Sequence, residues 1–244
     1  MVKIDKHQYT KEEWHKIRDQ RRLEKAIKRG EKPNPTKYNQ YPTVSRATHQ
    51  AFVLGNGTSR SDIPPDTLIP YGKIYGCNAL YRHFVPDYLV AVDVKMVLEI
   101  NKAKFQHKHQ VYTNPNKAYH SMKELNFFNP SKGWSSGPTA LWLASQHGYE
   151  RIYILGFDYK GLNEGKKFNN IYADTPNYKK SLDGATFYGN WLRQTKQVIK
   201  ENPNINYIRV KLAENYEPDE LNTFTNYSSI TIEDLKKQLN LPKN

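Results

Sequence analysis

The sequence predicts an α/β fold with a mostly parallel, Rossmann-like (GT-A-like) sheet and flanking helices, and three observations support this prediction. Short apolar runs recur along the chain and alternate with helical patterns. Several of these runs end in Gly, Asn or Asp, as strands do where a parallel sheet opens onto a ligand site. The first run, residues 51–54, leads directly into the glycine-containing turn Gly55-Asn56-Gly57.

The predicted elements follow one another from residue 48 to the end of the chain. Pro138 and Gly148 bracket one predicted helix in the positions that favour its start and its end. A polar loop is predicted over 160–185, and its part 163–178 is long enough to serve as a lid. Predicted strands cover 51–54, 73–76, 88–92, 109–112, 151–155 and 205–210, and predicted helices cover 94–102, 139–147, 186–200 and 231–239. We therefore expect one nucleotide-binding domain over 48–244.

Residues 1–47 are predicted to form a basic helical extension and linker. They carry +7 of the formal net charge of +13. A capping-box pattern begins at Thr10 and a glycine stands at position 30, which favours a helix over 11–29. The helix is either a solvated charged helix or an arm that binds a polyanion such as DNA.

Composition limits the classes of protein to which the chain can belong. The sequence has no apolar run of about 18 residues, which argues against a membrane span, and its N-terminus lacks the apolar region of a secretory signal. Its single cysteine, Cys77, excludes an intramolecular disulfide and fits a reducing compartment, so we expect a cytoplasmic protein. The net charge indicates phosphate polymers, anionic membrane surfaces or anionic small molecules as partners.

The turn after the first strand is a candidate phosphate-binding loop. Glycines let the backbone approach a phosphate, and exposed N–H groups together with the hydroxyls of Thr58 and Ser59 can bind it. The segment is not GxGxxG, because Arg60 replaces the third glycine, and no GK[ST] of a P-loop follows. An ordinary tight turn after a core strand is the alternative.

Other polar groups are predicted to lie at the same edge of the sheet. A helix that begins near Ser135, Ser136 and Gly137 would add free N–H groups that attract phosphate. Each of these residues is also an ordinary capping residue when taken singly. Together they predict a site for a nucleotide or another phosphorylated ligand. The groups that follow predicted strands are Gly55–Ser59, Asn78, Asp93 and Asp158-Tyr159.

Three segments resemble bacterial CMP-sialic-acid transferases, which belong to a superfamily with a GNGPS loop. A related family with this loop includes hydroxymethylpterin pyrophosphokinases. The abundance of Lys, Asn and Tyr also resembles phage-encoded proteins. The three segments, which lie within 51–82 and 133–160, are VLGNGTS, IYGCNALY and WSSGPTALWLASQHGYERIYILGFDY.

The resemblance implies a nucleotide sugar as co-substrate and a role for each matching residue. Asn56 and its two glycines would hold the phosphate and ribose of the donor, and Asn78 would lie beside the nucleotide. The base end would contact Ser135, Ser136 and Gly137, while Asp158 and Tyr159 would close the site. Two tyrosines of the family hold the leaving phosphate, and the candidates here are Tyr159 and either Tyr172 or Tyr178.

The chain departs from the family where the catalytic histidine is expected, because residues 181–188 contain none. A transferase still needs a base for the proton of the acceptor, and Asp93 and Asp183 are the candidates. There is no DxD metal motif, so no metal is clearly required. The charge of the leaving group would be neutralised by cations near the site. The candidates are Arg82, Lys160, Lys179 and Lys180.

The sequence thus predicts a glycosyltransferase-like enzyme that transfers a sugar from a nucleotide-sugar donor to an acceptor. A modified base in viral DNA is one candidate acceptor. Two alternatives remain open. One is a pyrophosphoryl transferase that uses a nucleotide and a divalent metal, which magnesium dependence would indicate. The other is a non-catalytic nucleic-acid-binding protein on a transferase fold, which failure to bind any nucleotide would indicate.

Overall fold

The computed structural model describes residues 49–119, 121–184 and 187–241, and these build one parallel sheet of eight strands. The predicted extension at 1–47, with its helix at 11–29, lies outside the described residues. The strands are β1 (Gln50–Leu54), β2 (Lys73–Cys77), β3 (Tyr88–Val90), β4 (Val111–Thr113), β5 (Asn126–Phe127), β6 (Arg151–Leu155), β7 (Asn206–Lys211) and β8 (Tyr227–Thr231). Four α-helices accompany them: α1 (Val94–Lys102), α2 (Ser136–Gln146), α3 (Gly189–Glu201) and α4 (Ile232–Gln238).

The strand order is β5-β4-β3-β2-β1-β6-β7-β8, and every neighbouring pair is parallel. The chain moves outward from β1 to β5, returns across the sheet, and then continues outward from β6 to β8. The direction of travel therefore reverses between β1 and β6. Such a switch point opens a crevice beyond the carboxyl ends of the two strands, and open α/β sheets bind their ligands there.

The central strand β1 shows why the sheet needs helices on both faces. All five of its residues are buried. Ala51 and Val53 belong to a core that includes Leu141 of α2, whereas Phe52 and Leu54 belong to a second core. The second core contains apolar residues of α1 and α4. Burial on both faces explains why the run 51–54 is continuously apolar rather than alternating.

The predicted α/β Rossmann-like fold class is confirmed, and the described strands are all parallel. The structure adds β5 and β8, which were not predicted from the sequence. β5 has only two residues, and β8 reads YSSIT, so neither presents an apolar run. None of the helices built from the described residues is long and apolar enough to cross a bilayer.

Candidate functional site

A cavity of about 410 Å³ lies at the switch point of the sheet. Its floor is formed by the loops that leave β1 and β6, and the loops after β2 and β3 complete one side. The start of α2, the loop between β6 and α3, and the first turn of α3 form the remaining walls. The predicted site residues that line it are Gly55, Asn56, Gly57, Asn78, Asp93, Ser135, Ser136, Gly137, Asp158, Tyr159 and Tyr178.

The loop after β1 is held by bonds to the loop after β6. Gly55 N–H donates to the Leu155 carbonyl at 2.8 Å, and Gly57 N–H donates to the Gly156 carbonyl at 2.9 Å. A Cβ atom on Gly57 would collide with the Asp158 carboxylate and lie 2.8 Å from the Gly156 oxygen. These glycines therefore allow the backbones of the two loops to approach each other. The sequence had instead suggested that they allow a ligand phosphate to approach the backbone.

Thr58 and Ser59 do not line the cavity, and this corrects the expectation that they donate to a phosphate. The Thr58 N–H and hydroxyl both donate to Asn169 Oδ1, at 2.9 and 2.8 Å. The Ser59 N–H donates to Asp158 Oδ2 at 3.1 Å, and its hydroxyl donates to the other carboxylate oxygen. The four donor groups of Thr58 and Ser59 are thus satisfied inside the protein, so an anion in the cavity would have to be bound by other groups.

A network of amides and hydroxyls joins the loop after β1 to the loop after β2. Asn56 Nδ2 donates to the Tyr178 hydroxyl oxygen at 3.2 Å, and the Ala79 N–H donates to the same oxygen at 3.3 Å. The Ser136 hydroxyl donates to Asn78 Oδ1 at 2.8 Å. Asn56 Oδ1 is buried and makes no hydrogen bond with any described residue. The unused oxygen is available to a donor on a ligand in the cavity.

The N-terminus of α2 faces the cavity through Ser135, Ser136 and Gly137. Ser135 N–H donates to Gln194 Oε1 at 3.1 Å, and the first intrahelical bond joins Thr139 N–H to the Ser135 carbonyl at 3.0 Å. The N–H groups of Ser136 and Gly137 have no acceptor in the described part of the chain. Two free donors at the positive end of a helix make this a candidate anion site in the cavity.

Asp93 is the carboxylate in the cavity that remains free for chemistry. It precedes α1 in the capping position, but its side chain makes no capping bond. Within the described ranges no cation or hydrogen-bond donor pairs with it. Desolvation raises the pKa of Asp93 above its ordinary value of 3.8, although the side chain stays accessible from the cleft. A raised pKa makes a carboxylate a stronger base, which suits proton abstraction.

The other predicted catalytic and phosphate-holding residues have different surroundings. Tyr159 lines the cavity, but its hydroxyl donates to Thr195 at 3.0 Å and burial raises its pKa. Tyr172 lies in the hydrophobic core rather than in the cavity, and burial raises its pKa to about 12. Asp183 is exposed outside the cavity and accepts from Lys180 N–H at 2.8 Å. Of the two tyrosines proposed as the second phosphate ligand, only Tyr178 reaches the cavity.

Among the predicted cations, Lys179 lines the cavity and the others do not. Arg82 is engaged by Glu99, with both guanidinium–carboxylate bonds at 2.7 Å. Lys160 lies over the ring of Tyr216, 5.6 Å from its centroid. The described residues include no group of three or more His, Cys, Asp or Glu side chains that could hold a metal ion.

Several lining residues were missed because a single sequence gives little sign of them. Asn169 and Asn170 come from the long loop, where Asn169 Nδ2 also donates to the Lys160 carbonyl at 3.0 Å. Tyr188 and Trp191 stand three residues apart at the start of α3, with their rings 5.0 Å apart. The spacing of these two aromatics on one helix face was the only available signal.

These features define a parallel α/β protein with a polar, aromatic-walled cavity at its switch point. Comparison of the chain with protein-family models, with curated proteins and with solved structures gives no match.

Proposed function

We propose that this protein transfers a sugar from a nucleotide-sugar donor to a hydroxyl group of an acceptor. The observation that carries the proposal is Asp93, a carboxylate without a partner among the described residues that opens onto the switch-point cavity and whose pKa is raised by desolvation. Glycosyl transfer needs one base at the acceptor oxygen. The likeness of three segments to CMP-sialic-acid transferases supports the same reaction class.

The shape and lining of the cavity support a nucleotide sugar as the ligand. A volume of about 410 Å³ falls in the usual range of about 300–1,000 Å³ for small-molecule sites. Phe168, Tyr188 and Trp191 offer aromatic faces against which a base or a sugar ring can pack. Asparagine side chains supply donors and acceptors for hydroxyl groups.

The phosphate end of the donor is assigned to the start of α2. The free N–H groups of Ser136 and Gly137 would bind the phosphate oxygens, and Lys179 would add a positive charge. As the bond between the sugar and the phosphate breaks, negative charge grows on the phosphate, and preorganised donors stabilise that charge. Asp93 would take the proton of the acceptor hydroxyl.

The proposal is tested by a thermal-shift screen of the full-length chain against nucleotides and nucleotide sugars. A ligand at about 100 times its dissociation constant stabilises the folded state by roughly 2.7 kcal/mol. The Asn56→Ala variant should lose this shift while its ligand-free melting temperature stays nearly unchanged, because the side chain makes one hydrogen bond of 3.2 Å.

Asn222→Ala is the matched control, since Asn222 is exposed and does not line the cavity. Wild-type protein that responds to no nucleotide, or an Asn56→Ala variant that responds as wild type does, would contradict the proposal.

A further inference from the structure

A second cavity of about 280 Å³ adjoins the main cavity. The two share Asn78, Asp93, Asn177 and Tyr178 in their linings. The second cavity is completed by the first residues of α1, of which Val94 is 37% exposed. Asp93 therefore stands at the junction of two spaces. This arrangement suits a reaction in which a group passes from a ligand in one space to a ligand in the other.

We infer that the second cavity is the acceptor subsite and that it takes an uncharged single ring bearing a free hydroxyl group. The inference rests on the proposed function for its chemistry. The volume lies just below the usual range for drug-sized ligands, so the space suits one ring rather than an extended chain. Two sources share this chemistry: a sugar residue and a hydroxymethylated pyrimidine.

The polar groups of the second cavity favour a neutral ligand with several hydrogen-bonding atoms. Asp93 and Lys95 both line this cavity, and Lys95 has no ion pair within the described ranges, so the lining carries one charge of each sign. Asn177 Nδ2 is taken by Glu99 at 2.6 Å, and Asn78 Oδ1 is taken by Ser136. The amide groups left over are one acceptor, Asn177 Oδ1, and one donor, Asn78 Nδ2.

A nucleotide sugar, the acceptor and the Asp93 carboxylate together account for every bond that forms or breaks in the transfer step. The acceptor oxygen forms a bond to the anomeric carbon of the donor as the bond from that carbon to the phosphate oxygen breaks. The electron pair of the broken bond leaves with the nucleotide phosphate. The acceptor proton passes to the Asp93 carboxylate and then to water.

Saturation-transfer NMR on the full-length chain tests the subsite without any donor. The probes are methyl β-galactoside, methyl α-glucoside and 5-hydroxymethyl-2′-deoxycytidine. Val94→Trp should weaken binding of the accepted probe by at least about tenfold, because the larger side chain fills the cavity. Leu98→Trp is the matched control. Leu98 lies one turn further along α1, is 43% exposed and does not line either cavity.

Binding of a sugar probe or of the hydroxymethylated nucleoside identifies which source is used. If no probe binds wild type, or if Val94→Trp binds as well as Leu98→Trp does, the inference is overturned. UDP-glucose, GDP-mannose and CMP-sialic acid then test the proposed function separately. Donor hydrolysis should persist in Val94→Trp while transfer to the accepted probe falls about tenfold. If Val94→Trp also loses donor hydrolysis, the two cavities act as one site and the inference is overturned.

Discussion

Asp93 combines a free carboxylate with a position between two cavities. We predict that Asp93→Asn lowers the transfer rate by about 10²–10⁴-fold, the usual contribution of general acid–base catalysis. The binding of nucleotide should change little, because the substitution preserves the shape of the side chain. Steady-state kinetics and the thermal shift measure the two effects. A variant with wild-type turnover would exclude Asp93 as the base.

The raised pKa of Asp93 also predicts the form of the pH dependence. A base acts when it is deprotonated, so the rate should fall as the pH drops through a pKa above 3.8. The folded state holds this proton more tightly than the unfolded chain does, so the ionised group destabilises the fold at neutral pH. Asp93→Asn should therefore remove the fall of the rate at low pH. It should also raise the melting temperature at pH 7, but not at pH values below the pKa of Asp93 in the unfolded chain. A lower melting temperature at pH 7 would contradict this account.

Gly57 tests the packing between the loops after β1 and β6. Gly57→Ala should destabilise the protein by about 1–3 kcal/mol, the usual effect of forcing an extra methyl group into a packed site. A change of 1 kcal/mol corresponds to about 2–4 °C in a chain of this size. Gly184→Ala is the control, since a Cβ there would meet nothing within 4 Å. Equal melting temperatures for the two variants would show that the loops move apart at little cost.

At the scale of elements, the loop from 160 to 184 has a packed part and an exposed tip. Ile171 N–H donates to the Asn56 carbonyl at 2.9 Å, and Phe168 and Tyr172 are buried. Lys166 lies in the exposed tip, whereas Lys179 lines the main cavity. The loop is therefore attached to the site at its centre, where Asn169 and Asn170 line the cavity, and its C-terminal part adds further lining residues that include Lys179.

This arrangement refines the prediction that the loop acts as a lid. Trypsin should cut the free protein after Lys166 and after Lys179. Nucleotide in the main cavity should slow the second cut and leave the first nearly unchanged, because only Lys179 would lie over the ligand. Mass spectrometry of timed digests distinguishes the two products. Equal rates at both positions with and without nucleotide would exclude closure of the loop over the ligand.

The sequence predicted the fold better than it predicted the use of individual side chains. Apolar runs that end in polar residues were enough to place the loops after β1, β2, β3 and β6 at one edge of the sheet. The hydrogen bonds of Thr58 and Ser59 depend on Asn169 and Asp158, which lie about a hundred positions away in the chain. Local pattern contains no information about such partners, and so these two residues were assigned to the ligand.

At the scale of the whole molecule, charge is distributed unevenly along the chain. Residues 1–47 contain 13 Lys and Arg against 6 Asp and Glu, which leaves +6 of the net +13 for the remaining 197 residues. The main cavity contains few charges, since Asp93, Asp158 and Lys179 are its charged lining residues in the described part of the chain. We therefore expect a polyanionic partner to bind the extension rather than the cavity.

We predict that residues 1–47 bind duplex DNA through its phosphates. Neutralising about five phosphates would release counterions and lower the affinity on the order of a hundredfold or more between roughly 50 and 200 mM salt. Fluorescence anisotropy with a labelled duplex should show this loss for the full-length chain and weak binding at both salt concentrations for a chain that begins at residue 48. A full-length chain in which the Lys and Arg residues of 11–29 are replaced by Gln keeps the extension but removes those positive charges. It should bind DNA as weakly as the truncated chain does. If a base of that duplex is the acceptor, its extrusion from the stack costs a few kcal/mol, so a single-stranded substrate should react faster. Binding that ignores salt, or that survives removal of residues 1–47, would leave the extension without a role in contacting DNA.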